Sequence, residues 1–212
     1  ILQNLEEALI ETDPTTKEGL LNFVIVGGGP TGVELSGSLS ELKRHVLKKD
    51  YPELDISEIN IYLVEGSPVL LGPMSPQSQQ HSKEFHKEMG VNVLTGVTVT
   101  SYDGHTIKLS NGTDITTKNV LWSAGVKGEV PEGIPQDRIV RGGRIKVDQS
   151  NRVVGYTDVF AIGDVASMQT EEYPNGHPGV APAAVQQGKH LAKNLVKIIN
   201  NEEPVPFKYF DK

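Results

Sequence analysis

The feature that most constrains this 212-residue chain is a glycine-rich turn between an apolar run and a helical segment. Residues 20–26 read LLNFVIV, which predicts a strand buried on both faces, as in a parallel sheet. Residues 27–32 read GGGPTG and match the spacing G-x-G-x-x-G, and residues 31–47 predict a helix. A strand, a glycine turn and a helix in this order indicate a Rossmann-like α/β fold.

Each part of this glycine turn has a physical reason to bind a dinucleotide. The first glycine permits the tight turn, the second lets a pyrophosphate approach the backbone, and the third lets helix and strand pack closely. The free N–H groups and partial positive charge of the helix N-terminus attract the diphosphate. We therefore predict a cofactor-binding turn made of Gly27, Gly28, Gly29, Pro30, Thr31 and Gly32.

The second predicted strand, residues 59–65, ends in Glu65. An acid at this position accepts hydrogen bonds from ribose hydroxyls and repels a 2′-phosphate, which favours NADH over NADPH. The distance from Gly32 to Glu65 is 33 residues (65 − 32), compared with about 20 in the usual motif. A long helix and the polar loop at residues 48–58 account for the excess. The alternative interpretation is a solvated carboxylate at a strand end.

The sequence as a whole divides into three regions. Residues 1–19 predict an N-terminal helix and a linker with a turn at residues 13–15, and residues 20–125 predict the NADH-binding domain. Short alternating segments between residues 97 and 116, with an Asn-Gly pair, predict a β-meander in that domain. Residues 126–212 predict a further strand at residues 159–162 and a helix at residues 181–200.

Composition excludes several classes of function. The formal net charge of −7 argues against a nucleic-acid partner, because phosphate binding requires a basic face. The absence of cysteine excludes disulfides and cysteine-ligated zinc. No histidine pair has metal-ligand spacing, so no metal site is expected, and we interpret His81 and His86 as solvated helix residues.

Two segments of the last region resemble the C-terminal part of the FAD domain in flavoproteins with two dinucleotide-binding domains. Residues 157–164 read TDVFAIGD and residues 181–188 read APAAVQQG. The resemblance implies that Asp164 binds the ribityl hydroxyls of FAD and that the start of the helix faces the isoalloxazine ring. The residues implied to bind FAD are Gly163, Asp164, Ala181, Ala183, Ala184 and Gln187.

The order GGGPTGVE, LWSAGV, AIGD and AxxAxQQG over residues 20–200 resembles type II NADH dehydrogenases of the pyridine nucleotide-disulfide oxidoreductase superfamily. The resemblance implies hydride transfer from NADH to FAD and electron transfer to a membrane quinone, at the cytoplasmic face of the cell membrane. It also implies that Ser123, Ala124 and Gly125 lie at the seam between the two domains. The family often has Gln at the position of Pro182. This departure argues against a quinone role for the position.

Glu34 has two interpretations. A carboxylate near a helix N-terminus is favourable in itself. Alternatively, Glu34 is a catalytic residue that faces the contact between nicotinamide and flavin.

The predicted fold class is therefore α/β: a Rossmann-like three-layer NADH-binding domain with a β-meander, followed by a C-terminal fragment of a second, FAD-binding Rossmann-like domain. Only one glycine turn occurs, whereas the superfamily has two, so we expect a fragment that holds FAD weakly or not at all and is inactive by itself. The membrane-docking C-terminal domain of the family is also expected to lie outside the chain. We expect the fragment to be soluble and, through exposed apolar surface, to self-associate, for example as a homodimer.

Other functions remain open at this point. Disulfide, ferredoxin or rubredoxin reductases share the superfamily, although the absence of cysteine excludes the thioredoxin-reductase type, which carries a cysteine pair in this domain. An alternative of another class is a non-catalytic sensor module that only binds NAD.

Overall fold

The computed structural model describes residues 1–210. The chain forms two compact units, one covering residues 1–125 and one beginning at Val126. Each unit has its own apolar core. Within the described residues, no helix is long and apolar enough to cross a lipid bilayer.

The first unit alternates helices and strands and then forms a run of short strands. Its helices are α1 (Leu2–Ile10), α2 (Pro14–Leu21), α3 (Pro30–Glu41), α4 (Lys48–Asp50) and α5 (Pro76–Glu88). Its strands are β1 (Asn22–Val26), β2 (Asn60–Glu65), β3 (Val91–Thr95), β4 (Val99–Tyr102), β5 (Thr106–Leu109), β6 (Asp114–Thr116) and β7 (Asn119–Trp122). A π-helix over Leu42–Leu47 joins α3 to α4.

A parallel sheet with the strand order β3–β2–β1–β7 forms the centre of this unit. All five residues of β1 are buried because its two faces contribute to different cores. Phe23 and Ile25 pack with the helices, whereas Val24 and Val26 pack with the antiparallel meander of β4, β5 and β6. Helices, parallel sheet and meander form three layers, which confirms the predicted Rossmann-like fold.

The N-terminal region differs from its prediction. The expected turn at residues 13–15 is the start of α2, where the Asp13 carboxylate accepts a hydrogen bond of 2.8 Å from the Thr16 N–H. Leu20 and Leu21, predicted as the start of the strand, form the buried last turn of this helix. The error has a simple cause, since a short apolar run fits a buried helix end as well as a strand.

His86 also departs from its prediction. Its side chain is buried on α5, not solvated, and it lies between two carbonyl groups. Nδ1 lies 2.7 Å from the Ser82 oxygen, and Nε2 lies 3.0 Å from the Val33 oxygen on α3. His86 thus links α5 to α3, while His81 on the same helix is exposed as predicted.

The second unit contains a small mixed sheet and a long helix. Its strands are β8 (Ile139–Val140), β9 (Arg144–Val147) and β10 (Ala166–Met168), and its helix is α6 (Ala181–Ile199). The strand order is β10–β9–β8, with β10 parallel and β8 antiparallel to β9.

The predicted strand at residues 159–162 is wrong. Phe160 forms a single isolated bridge with Arg152, and the Ala161 N–H donates to the Asn151 oxygen over 3.0 Å. Alternating apolar residues favour extended backbone, but a strand requires a ladder with a neighbour. Among the described residues, this segment has no strand to pair with beyond that bridge.

Helix α6 buries polar side chains and exposes apolar ones. Gln187 and Asn194 are buried and hydrogen-bonded, and the Asn194 amide pairs with the Val205 backbone over 2.8 and 3.0 Å. The exposed side we call the α6 apolar stripe consists of Val185, Leu195, Val196 and Ile199. A helix face of this composition is ordinarily covered by another element.

Candidate functional site

The glycine turn lies at the carboxyl end of β1, where ligands bind in parallel α/β sheets. Gly27 has a φ of +113°, which favours glycine, and its N–H donates to the Val64 oxygen over 2.8 Å. Gly29 precedes α3, and Pro30 occupies its first turn, where the missing N–H costs nothing. The remaining N–H groups of this first turn have no partner within the helix and point toward the space in front of it.

Two glycines of the motif are required by the protein itself. A Cβ at Gly27 would lie 2.8 Å from the Ala124 nitrogen, and a Cβ at Gly32 would overlap the Gly27 oxygen. Neither contact is compatible with a larger side chain. These two residues therefore allow the glycine turn, α3 and the segment after β7 to approach one another closely.

The fold does not require a glycine at position 29. Its φ is −74°, which any residue adopts, and a Cβ added there would meet no described atom within 4 Å. Packing and backbone conformation therefore do not explain a glycine at this position. Open space beside the second glycine fits the predicted close approach of a diphosphate to the backbone.

The carboxylate of Glu65 contacts the glycine turn directly. Oε2 accepts a hydrogen bond of 2.5 Å from the Gly28 N–H, and Oε1 accepts one of 2.6 Å from the Ser67 N–H. Burial alone would raise the pKa of Glu65, but the hydrogen bonds from Ser67 and Gly28 outweigh it and lower this pKa below its ordinary value. An ionised carboxylate is thus fixed beside Gly28, with lone pairs left to accept further hydrogen bonds.

The connection after β2 also supports the glycine turn. The Leu71 N–H donates to the Gly28 oxygen over 2.8 Å, and Leu70 is fully buried against Gly28. A Cβ at Gly28 would lie 2.6 Å from Leu70 Cδ2. Sequence reasoning missed this contact, because nothing local marks a residue 42 positions away (70 − 28) as a neighbour.

The segment after β7 contacts the turn from the other side. Ser123 Oγ donates to the Val26 oxygen over 2.9 Å, and Ala124 lies against Gly27. The Trp122 indole N–H donates to the Ala124 oxygen over 2.9 Å, while 64% of the side chain is exposed. Sequence reasoning singled out Ser123, Ala124 and Gly125 but not Trp122. The sequence does offer a way to find this residue, because it is the only tryptophan of the chain and directly precedes Ser123.

Glu34 lies exposed on α3, within two turns of Gly29. Its position agrees with both interpretations given above, favourable placement near a helix N-terminus and a contact to a ligand.

In the second unit, the structure brings together several residues that the sequence predicted as a group. Gly163, with a φ of +69°, donates its N–H to Oε1 of buried Gln187 over 2.7 Å. A Cβ at Gly163 would lie 3.4 Å from the Ala184 Cβ. The turn before Asp164 is thus held against the first turns of α6, and the Asp164 carboxylate remains exposed. Ala183 is buried, while Ala181 is exposed at the first position of the helix.

Residues 3–188 match the pyridine nucleotide-disulphide oxidoreductase family. The chain belongs to this family. The match covers most of both units and confirms the superfamily that the sequence motifs indicated.

Three curated relatives in the family are similar to this chain. Type II NADH:quinone oxidoreductase Ndh of Mycobacterium tuberculosis is 34% identical over the whole chain, and NdhA of the same organism is 33% identical. An internal alternative NAD(P)H-ubiquinone oxidoreductase of Arabidopsis thaliana is 32% identical over 86% of the chain. The chain spans 47% of the length of each mycobacterial relative, which agrees with the expected fragment.

Solved structures share the fold. NDH2 from Plasmodium falciparum, solved in complex with NADH, superimposes with a TM-score of 0.86 at 18% identity over the whole chain and 58% of its own length. A ferredoxin reductase from Rhodopseudomonas palustris gives a TM-score of 0.65 at 19% identity over 90% of the chain and 43% of its own. At these identities the similarity shows a common fold.

Proposed function

We propose that this chain is the NADH-binding part, followed by the trailing portion of the FAD domain, of a type II NADH:quinone oxidoreductase. The observation that carries the proposal is the Glu65 carboxylate, which is bound to the Gly28 N–H beside the open side of Gly29. The names of the curated relatives support the same assignment.

In this proposal the first unit binds NADH by three contacts. The free N–H groups of Thr31 and Gly32 at the start of α3 hold the diphosphate. Glu65 accepts hydrogen bonds from the adenosine ribose, and its negative charge repels a 2′-phosphate. Glu34, on the outer face of the first turns of α3, lies toward the reacting end of the cofactor. A bound FAD would accept the hydride that NADH supplies.

The second unit would contribute to the flavin site. The exposed Asp164 carboxylate is suited to the ribityl hydroxyls, and the start of α6 at Ala181 offers a partial positive charge to the flavin ring. Buried Gln187 holds the Gly163 turn in place for both. Ser123, Ala124 and Gly125 would take part in the nucleotide site of the first unit. Because the relatives are about twice as long, we propose that the remaining flavin contacts come from residues outside this chain.

Isothermal titration calorimetry with NADH and NADPH tests the first part of the proposal. We expect wild type to bind NADH more tightly than NADPH, and Glu65→Gln, which keeps the shape without the charge, to reduce that preference by about tenfold. Glu65→Ala is expected to weaken NADH further, because it also releases the Gly28 and Ser67 N–H groups. Equal affinity of wild type for both nucleotides would overturn the assignment of Glu65.

The absorbance spectrum of the purified chain tests the flavin part. We expect FAD well below one equivalent per chain, because residues 126–210 supply only part of the proposed site. A flavin content near one equivalent would overturn this view of the second unit.

The names of the relatives support the quinone part of the proposal. We propose that the longer protein passes electrons to a quinone at the membrane surface through residues outside this chain, and that a homodimer forms through exposed apolar surface. The longer protein should oxidise NADH with a soluble quinone as acceptor. A sensor module would bind NADH without turnover, and that result would contradict the proposal.

A further inference from the structure

Trp122 is the only tryptophan of the chain and lies at the end of β7 with 64% of its side chain exposed. Tryptophan is highly buried on average, because its ring carries a large apolar area. The indole N–H is already bonded to the Ala124 oxygen over 2.9 Å. What remains available to a ligand is therefore the face of the ring and not its hydrogen-bond donor.

The hydrogen bond also fixes where the ring lies. Ala124 is beyond the last residue of β7, so the indole extends past the carboxyl edge of the sheet above the Ser123–Ala124 segment. This segment contacts the glycine turn, since a Cβ at Gly27 would lie 2.8 Å from the Ala124 nitrogen. Ser123 Oγ would lie 2.9 Å from a Cβ at Gly32. Trp122 is thus anchored to the turn that receives the diphosphate in the proposed function.

The strand order places Trp122 and Glu65 on opposite sides of that turn. Val26, the last residue of β1, lies between Val64 of β2 and Trp122 of β7 in the register of the sheet. Neighbouring strands are about 4.8 Å apart, so the ends of β2 and β7 are separated by about 10 Å. A dinucleotide whose adenosine ribose is at Glu65 and whose diphosphate is at the glycine turn has its second half on the side of β7.

We propose that the exposed face of Trp122 is the contact surface for the nicotinamide ring of the bound dinucleotide. This inference rests on the proposed NADH function. A planar ring stacks on an indole face in offset geometry, and an oxidised, positively charged nicotinamide gains a cation–π attraction in addition. Trp122 thereby positions the half of the cofactor that carries the hydride, while Glu65 holds the other half.

ADP-ribose provides the matched probe, because it has both riboses and the diphosphate but no nicotinamide. Calorimetric titration of the 212-residue chain should show that Trp122→Ala raises the Kd for NADH about three- to tenfold and leaves the Kd for ADP-ribose unchanged. Trp122→Phe keeps an aromatic face without the Ala124 hydrogen bond, and we expect it to retain most of the NADH affinity. Thermal unfolding of both variants verifies that they are folded.

Two results would overturn the inference. Unchanged NADH affinity in Trp122→Ala would show that the ring contacts no nicotinamide. An equal loss for NADH and ADP-ribose would show that Trp122 acts only by bracing the Ser123–Ala124 segment against the glycine turn. Failure of the wild-type chain to bind ADP-ribose is a different result, because it would overturn the proposed function itself and this inference with it.

Discussion

Gly29 and Gly32 belong to one motif, but a methyl group added at each would meet different surroundings. At Gly32 it would collide with the Gly27 oxygen, whereas at Gly29 no described atom lies within 4 Å. Packing inside the protein explains the glycine at position 32. It does not explain the glycine at position 29, so substitutions at these two positions together test ligand binding.

We expect Gly29→Ala to change the free energy of unfolding by less than about 0.5 kcal/mol and to raise the Kd for NADH about tenfold or more. The added methyl group enters the space proposed for the diphosphate. Gly32→Ala should lower the free energy of unfolding by about 3 kcal/mol or more, because a backbone oxygen must move. Urea unfolding and calorimetry measure the two effects. A destabilised Gly29→Ala variant would contradict this division.

The hydrogen bonds to Glu65 predict a pH-dependent contribution to stability. The pKa of Glu65 is lowered in the folded state from an ordinary value of 4.5, so the ionised form favours folding above that pH. This contribution is lost as the pH falls through the lower, folded-state value. The difference in unfolding free energy between wild type and Glu65→Gln should therefore be constant near neutral pH and shrink below about pH 4.5. Glu53→Gln, on an exposed loop, is the matched control for the removal of one carboxylate.

At the scale of elements, α5 contributes one buried side chain, that of His86. His86 contacts the carbonyl oxygens of Ser82 and Val33 and so joins α5 to the helix that follows the glycine turn. The pattern of residues 76–89 predicted the helix but not the buried position of its histidine, because the burial depends on α3 and not on local sequence.

His86→Ala should lower the free energy of unfolding by about 2–3 kcal/mol, from a lost hydrogen-bonded contact and the cavity left behind. His81→Ala on the exposed side of α5 is the matched control and should stay within about 0.5 kcal/mol of wild type. Chemical denaturation of the two variants in parallel provides the comparison, and similar losses in both would show that His86 has no special role.

Elements that depend on short-range signals could be predicted from sequence, and those that depend on distant partners could not. The glycine turn with β1 and α3 follows from local residue types, and Glu65 follows from its place at a strand end. The contact of Glu65 with Gly28 joins residues 37 positions apart and has no local signal. Residues 159–162 have the composition of a strand, but in the described chain no neighbouring strand completes a ladder with them.

At the scale of the whole molecule, the second unit exposes apolar surface along α6. The α6 apolar stripe includes Val196 and Ile199, which are 60% and 78% exposed. The chain spans 47% of its mycobacterial relatives, and we propose that part of the remaining length covers this stripe. If nothing within one copy of the chain covers this stripe, two copies can remove it from water by burying it between them.

We therefore expect the weight-average sedimentation coefficient of wild type to rise with protein concentration. The double variant Val196→Gln/Ile199→Gln should show a weaker rise at unchanged thermal stability, because both side chains are already exposed. Ile10→Gln removes an exposed isoleucine from the first unit, 82% exposed, and serves as the control that should resemble wild type. A wild-type chain that sediments as a monomer at every concentration would contradict the expectation.

The connection between β2 and α5 is tied to the glycine turn by the Leu71 N–H and by the buried Leu70 side chain. The length of this connection therefore affects the geometry of the glycine turn, about forty residues earlier in the chain. Insertions or deletions between Glu65 and Leu71 would displace the Glu65 carboxylate and the backbone of Gly28 together. Engineering of cofactor preference in this protein would consequently have to proceed by substitution within a connector of fixed length.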